Sequence, residues 1–294
     1  MINMHSFSRV SRELLRALAL LVFVVPVFGQ GAAIVPCPAA PAPAKSGSPQ
    51  KVGERASRLP VDESIPADPD VEKMLAPYSE KVSELTKVIG RLEGDLKKTG
   101  VGGGSLGQFV TNGIRAQAQA KLGKPVTLAI MNIGGLRKNV ITAGGLRASD
   151  IFELLPFENA LVALDVTGAQ LAKIIEVVTK DAQAGARIQF KWNDRNRAEF
   201  ISGKLLDASG KEQEIDPNQI YTIVTIDYLL RVGGGAYAIL QEAKSQTPLN
   251  ITLRDAIMDY VKSETAAGRP IRNTLDDRFV QIGPGPKSDT ETPQ

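Results

Sequence analysis

Between Val35 and Pro69 the chain has no apolar periodicity and is dominated by proline, alanine and serine, as in PCPAAPAPAKSGSP. A stretch of this composition cannot bury enough apolar surface to offset the entropy of ordering it, and it reads as an extended or disordered spacer. Any packed core is therefore confined to the residues beyond the spacer, from about 70 to 282. With 43% apolar residues overall, a segment of that size suffices for one core.

Ahead of the spacer, Arg9, Arg12 and Arg16 precede an apolar run from Ala17 to Phe28, and the small residues Gly29 and Ala32 come next. Basic, apolar and small in that order is the pattern of a secretory signal peptide. The run is about a dozen residues, whereas a membrane-spanning helix needs roughly 20. The expected plan is a signal peptide over 1–30, a linker over 31–69, one domain over 70–282 and a disordered tail over 283–294. Export to the periplasm or the medium is the corresponding expectation. Cys37 is the sole cysteine, so no internal disulfide can form, and Pro36 stands where a lipidated cysteine is usually preceded by a small residue. The formal charge of +3 loses three arginines and regains one glutamate when the signal is removed. So balanced a chain gives no reason to expect nucleic acid or a membrane surface as partner.

Within the core, Val71, Met74, Leu75, Tyr78, Val82 and Leu85 share a helical face, with Pro77 expected to break or kink it. A strand is expected over 86–92, a flexible connector at VGGGS, a helix from Leu106 to Leu122, and a strand over 126–132. Ser149 and Asp150 can cap a short helix running to Leu155. Thr167 and Gln170 form a capping-box pattern ahead of Leu171, Ile174, Ile175 and Val178. Strands and turns fill 187–225, and a last helix runs from about Leu253 to Glu264. Helices and strands alternate without a βαβ rhythm, so the fold class is α+β in a single domain.

Catalytic groups are scarce. The only histidine, His5, lies in the signal segment, which excludes Ser-His-Asp, Cys-His and His-ligated metal sites from the mature chain. The carboxylates are scattered in the manner of solvated surface charge, and Gly102-Gly103-Gly104-Ser105 lacks the spacing of a phosphate loop.

Several motifs occur in order: Ser105-Leu106-Gly107-Gln108-Phe109 opening a helix, NIGGLR, AGGLRASDIFELLPFEN, LVALDVTGAQL, QIYTIVTIDYL and GGGAY. The region 70–282 thereby resembles the C-terminal, substrate-recognition domain of the 5'-nucleotidase family, whose full-length members also carry a two-metal phosphoesterase domain. The resemblance implies an aromatic pair enclosing a nucleobase, an asparagine and an arginine contacting base and substrate oxygens, and the aspartate of a GGDG turn holding the ribose. On this sequence those positions are Asn132 and Arg137 of N-x-G-G-x-R, Phe157 and Asn159 of PF-x-N, Tyr228 as the second aromatic, and the turn at Gly234 and Gly235. Glycines 134 and 135 suit a tight turn close to a ligand, Arg137 offers a planar fork of donors, and Pro156 keeps Phe157 off the helix. Ordinary roles remain open: Phe157 and Tyr228 as core residues, and Arg137 in a surface ion pair. Arg147, beside a helix start, suggests Glu153 as a partner and is left out of the site.

The sequence departs from the pattern at Gly233-Gly234-Gly235-Ala236, where the ribose-binding aspartate is missing and the segment between Tyr228 and the glycines is one residue longer. It also has no Asp-x-His or Gly-Asn-His-Glu metal motif. The function expected is thus nucleotide or nucleoside recognition within a split, exported 5'-nucleotidase. No cofactor is expected in this chain, and two divalent metals are expected only in a separate metallophosphoesterase chain. The alternative is a non-catalytic small-molecule-binding or interaction module with a decayed pocket.

Overall fold

The computed structural model describes residues 62, 64–232 and 234–286. The signal segment with His5, nearly all of the linker with Cys37, and the tail beyond 286 lie outside the described residues. Among those described, no helix is long and apolar enough to cross a membrane.

The unit from Pro66 onward begins with helix α1 (Pro69–Leu85), capped by the Asp68 carboxylate, which accepts the Asp70 and Val71 amides. Pro77 does not break it: the helix runs through, since one missing N–H removes a single backbone bond. Its apolar stripe does not enter the core, with Met74 63% and Tyr78 60% exposed.

The short strands β1 (Val88–Leu92) and β2 (Leu96–Lys97) come next, followed by helix α2 (Gly104–Leu122). The VGGGS segment is a 3-10 turn over Val101–Gly103 that leads directly into the first residues of α2, and not a flexible connector. Gly100, Gly102, Gly103 and Gly104 all have positive φ, and a Cβ on Gly102 would lie 2.1 Å from the Phe279 ring. These glycines are fixed by close packing, with Gly102, Gly103 and Gly104 buried.

Strand β3 (Leu128–Met131) is buried at every position, as a central strand covered on both faces must be. Next come β4 (Val140–Ile141), β5 (Gly144–Arg147), helix α3 (Ala148–Leu154) and β6 (Ala160–Thr167). The α3 start differs from the sequence expectation. Asp150 caps from inside the first turn, accepting the Arg147 backbone N–H at 2.9 Å, and Glu153 pairs with Lys138 at 2.6 Å, not with Arg147. Helix α4 (Gly168–Val177) has the expected capping box, in which the Gln170 amide donates to Thr167 Oγ1 and the Thr167 amide to Gln170 Oε1.

The second half holds β7 (Ala182–Ala184), β8 (Ala186–Trp192), β9 (Ala198–Leu206), β10 (Glu212–Gln213) and β11 (Ile220–Ile226). Short helices α5 (Asp227–Arg231) and α6 (Ala238–Gln241) lead to β12 (Ser245–Thr252), α7 (Leu253–Ala266) and β13 (Phe279–Gln281).

Two sheets carry the fold, ordered β12-β6-β11-β3-β7 and β10-β9-β8-β13. In the five-stranded sheet β11 runs parallel to β3, while β6 is antiparallel to β11 and β7 to β3. Residues Leu128, Ile130, Ile223, Val224, Leu161 and Leu164 are fully buried in it. Helices α2 and α7 pack together beside it, so closely that a Cβ on Gly113 would come within 2.6 Å of Ile257 Cδ1. The architecture is mixed α and β in one core, as expected.

Candidate functional site

The direction of the strands decides which loops meet. The parallel pair β3 and β11 end together, Ile226 faces Leu161 at the start of β6, and Met131 faces Ala182 at the start of β7. Four segments therefore converge on one edge of the sheet: 132–137 after β3, 155–159 before β6, 227–237 after β11, and Asp181 before β7. Ligand clefts in open sheets commonly form where strand ends and their loops meet in this way.

At that edge lies a cleft of about 560 Å³ lined by Asn132, Gly134, Gly135, Arg137, Phe157, Glu158, Asn159, Tyr228 and Arg231. Of the residues expected from sequence, Asn132, Arg137, Phe157, Asn159 and Tyr228 are brought together in it. Gly234 and Gly235 come a few residues after Arg231 but do not line it themselves.

Asn132 begins a single 3-10 turn over Ile133–Gly135, closed by the Gly135 amide donating to the Asn132 carbonyl at 3.1 Å. Neither Gly134 nor Gly135 has a positive φ, so their value is space. A Cβ on Gly135 would come within 2.7 Å of Met131 Cε. Asn132 Oδ1 is buried and accepts no hydrogen bond, a state that costs about 1 to 3 kcal/mol until a donor arrives. Such orphaned acceptors are uncommon enough to require an explanation.

Arg137 is exposed, forms no ion pair among the described residues, and sets its guanidinium 5.7 Å from the Phe157 ring centroid. Its backbone N–H donates to the Leu154 carbonyl at 2.9 Å, tying the turn to the end of α3. Phe157 is 45% and Tyr228 42% exposed, so neither ring fills the core. Asn159 is buried, and its carbonyl accepts the Leu253 amide at 2.7 Å, fixing the end of the loop to the start of α7.

Four further residues, Arg254, Asp227, Asp181 and Tyr237, shape the site; Asp227 and Tyr237 fall within the motifs QIYTIVTIDYL and GGGAY, but no local spacing gives any of the four its role. Arg254 on α7 stacks 4.3 Å from the Phe152 ring, pairs with Glu158 and reaches the Leu155 carbonyl, holding the Phe157 loop from behind. Asp227 accepts the Ala160 amide at 3.0 Å and pairs with Arg231 at 3.0 Å. Asp181 is buried and accepts the Tyr237 hydroxyl at 2.5 Å. None of the contacts Arg254–Glu158, Asp227–Ala160 and Asp181–Tyr237 follows a local spacing, since each joins segments distant in sequence. The carboxylates nearest the cleft, Glu158 and Asp227, are thus occupied by arginines, and among the described residues Arg137 faces the cleft without an ion-pair partner.

Burial pushes the Asp181 carboxyl above its usual range, against the opposing pull of the Tyr237 hydrogen bond, the nearby Lys180 charge and the Ile133 backbone amide. A carboxyl raised on folding stabilises the fold below its unfolded value of about 3.9, and that contribution is lost as the pH climbs through the folded value. The stability of the wild type relative to the non-titrating Asp181→Asn should therefore fall as pH rises from the acid side. Urea melts of both proteins at several pH values check this; a wild-type advantage that grows with pH would contradict it.

No group of three or more His, Cys, Asp or Glu side chains among the described residues is arranged to hold a metal ion.

Comparison with known proteins bears on the family and the fold. The family model described as 5'-nucleotidase, C-terminal domain, matches residues 84–242. The chain is 25% identical to protein UshA of Yersinia enterocolitica over 74% of its own length and 38% of that protein. It is 28% identical to a 5'-nucleotidase of Vibrio vulnificus over 64% of its length and 33% of that protein. Among solved structures, the 5'-nucleotidase precursor from Thermus thermophilus superposes with a TM-score of 0.58 at 21% identity, over 73% of this chain and 43% of that one. The NAD nucleotidase of Haemophilus influenzae gives 0.54 at 17%, over 74% and 42%. At such identities the structural likeness concerns the fold, and the chain spans less than half of each of these relatives. With the family model matching more than half of the sequence, the chain belongs to the 5'-nucleotidase C-terminal domain family.

Proposed function

We propose that this chain is an exported nucleotide- or nucleoside-recognition domain of a split 5'-nucleotidase, in which hydrolysis is carried out by a metallophosphoesterase on a separate chain. The observation that carries the reading is the buried, partnerless Asn132 Oδ1 in a cleft that also holds two exposed rings and an arginine with no ion-pair partner among the described residues. A nucleobase supplies what each of these lacks: an amino or imino donor for the asparagine, a planar face for Phe157 and Tyr228, and, in a nucleotide, an anion for Arg137. This domain binds and orients the ligand and excludes water, with the two divalent metals held elsewhere. Export to the periplasm or the medium rests on the basic-then-apolar segment at Arg9 to Phe28.

A second reading is favoured by one feature. The turn at 234–236 presents no carboxylate, and on this second reading the cleft is a decayed nucleotidase pocket in a non-catalytic small-molecule-binding or interaction module.

The test of the catalytic assignment is phosphate release. Purified chain supplied with Mn²⁺ or Zn²⁺ should release none from 5'-AMP, a cyclic nucleotide or a generic phosphodiester, because two-metal hydrolysis needs a ligand cluster. Metal-dependent turnover that stays with the chain through several columns would overturn the division of labour.

A further inference from the structure

The segment after α5 carries Gly234 and Gly235 and joins the wall of the cleft that holds Tyr228 and Arg231. Its backbone hydrogen bonds are local: the Val232 amide donates to the Tyr228 carbonyl, the Gly234 amide to Val232, and the Ala238 amide to Gly235. Gly235 has φ +68, and no atom lies within 4 Å of where its Cβ would be. Among the described residues, one hydrogen bond ties 232–237 to a distant part of the fold, the 2.5 Å contact from the Tyr237 hydroxyl to Asp181 Oδ2.

Asp181 is well placed to serve as the fixed end. It is 3% exposed, and the next residue, Ala182, pairs in register with Met131, the residue before Asn132. The Asn132 turn and Asp181 are thus set side by side by the β3–β7 ladder. Neither Asp181 nor Tyr237 lines the cleft.

We propose that Asp181 and Tyr237 form a latch that fastens the glycine turn to the sheet edge carrying Asn132, and so hold the two walls of the ligand cleft at a binding-competent separation. Both are positioning residues: neither touches the ligand, and their effect passes through Tyr228 and Arg231 on one side and Asn132 on the other. With the hydroxyl removed, the turn keeps its local hydrogen bonds and the packing of the Tyr237 ring against the core but has no hydrogen bond to the sheet, and it samples open states more often. A ligand that needs the closed state then binds more weakly in proportion to the closed fraction. The role in ligand binding rests on the nucleotide reading above; the mechanical role does not.

Two measurements on the full chain separate these. Calorimetry with 5'-AMP compares the wild type with Tyr237→Phe, Asp181→Ala, Asp181→Asn and the double variant Asp181→Ala/Tyr237→Phe, and amide hydrogen exchange is followed on the same proteins without ligand. The latch predicts affinity about fivefold to tenfold weaker for Tyr237→Phe and for Asp181→Ala, with no additional loss in the double variant. Asp181→Asn, which keeps an oxygen to accept the hydroxyl, should recover most of the loss. Exchange at 234–237 should accelerate in Tyr237→Phe and Asp181→Ala and stay slow in Asp181→Asn. If the wild type binds no 5'-AMP and exchange behaves as described, the nucleotide reading fails and the latch stands. If exchange at 234–237 is unchanged in Tyr237→Phe, the latch is overturned whatever the calorimetry gives.

Discussion

Phe157→Ala is expected to remove most of the nucleoside affinity of this protein while leaving its melting temperature within a few degrees. The ring is 45% exposed, lies on the loop between α3 and β6, and faces the Arg137 guanidinium and the cleft. Stacking of a base on one aromatic face is worth about 1 to 3 kcal/mol, which is roughly five- to 150-fold in affinity. An exposed side chain outside the core contributes within about 0.5 kcal/mol to stability, a shift of only a few degrees for a domain of this size. Calorimetry beside a thermal melt checks both halves. A large fall in melting temperature would assign Phe157 a core role that its exposure does not support.

Restoring a carboxylate to the glycine turn should have an effect of similar size and opposite sign. Gly234 has φ −65 and ψ 153, open to any residue, and a Cβ there would meet only the Val232 carbonyl oxygen at 3.9 Å. Gly235 has equal space but a left-handed backbone at φ +68, which Asp tolerates better than most side chains. Gly234→Asp is therefore the less strained substitution and Gly235→Asp its necessary companion, because the extra residue ahead of the turn shifts the register of the lost aspartate by one. A charged hydrogen bond to ribose is worth about 1.5 to 3 kcal/mol, so the better-placed variant should prefer a ribonucleoside over its 2'-deoxy counterpart by tenfold or more. Two folded variants without that preference would favour the interaction-module reading.

How far the sequence could be read depends on the range of the interactions. Signals contained within one turn were legible: Thr167 and Gln170 cap α4 reciprocally, α2 and α7 fall within two residues of their expected bounds, and Pro156 precedes an exposed Phe157. Where a local rule competed with packing, packing won. Three glycines before Ser105 suggest flexibility, yet Gly102 is locked beneath Phe279, some 180 residues later. The amphipathic pattern of α1 gives the helix correctly but not its environment, since Val71, Met74, Leu75, Tyr78 and Val82 are exposed. The short strand β13 escaped notice because three residues carry no periodicity, and its pairing with β8 is a long-range event.

The candidate site divides along the same line. Asn132, Arg137, Phe157, Asn159 and Tyr228 could be named from motifs, and the structure gathers them in one cleft. The roles of Arg254, Asp227, Asp181 and Tyr237 could not be read, even though Asp227 and Tyr237 stand within quoted motifs, because each acts through a partner at least 56 residues away or through a strand pairing that only the sheet order reveals. The motifs specify what lines the cleft. The topology holds those residues in place.

Isothermal titration of the purified protein with 5'-AMP, adenosine, 2'-deoxyadenosine and the corresponding guanine and pyrimidine compounds tests the central claim most directly. A nucleoside of roughly 19 heavy atoms at about 0.3 kcal/mol each should bind with a dissociation constant on the order of 100 μM, and the nucleotide should bind more tightly through Arg137. Binding should saturate at one ligand per chain and be lost in Phe157→Ala. Heats indistinguishable from dilution for every nucleotide and nucleoside at millimolar concentration, in a protein whose melting curve shows it folded, would contradict the account.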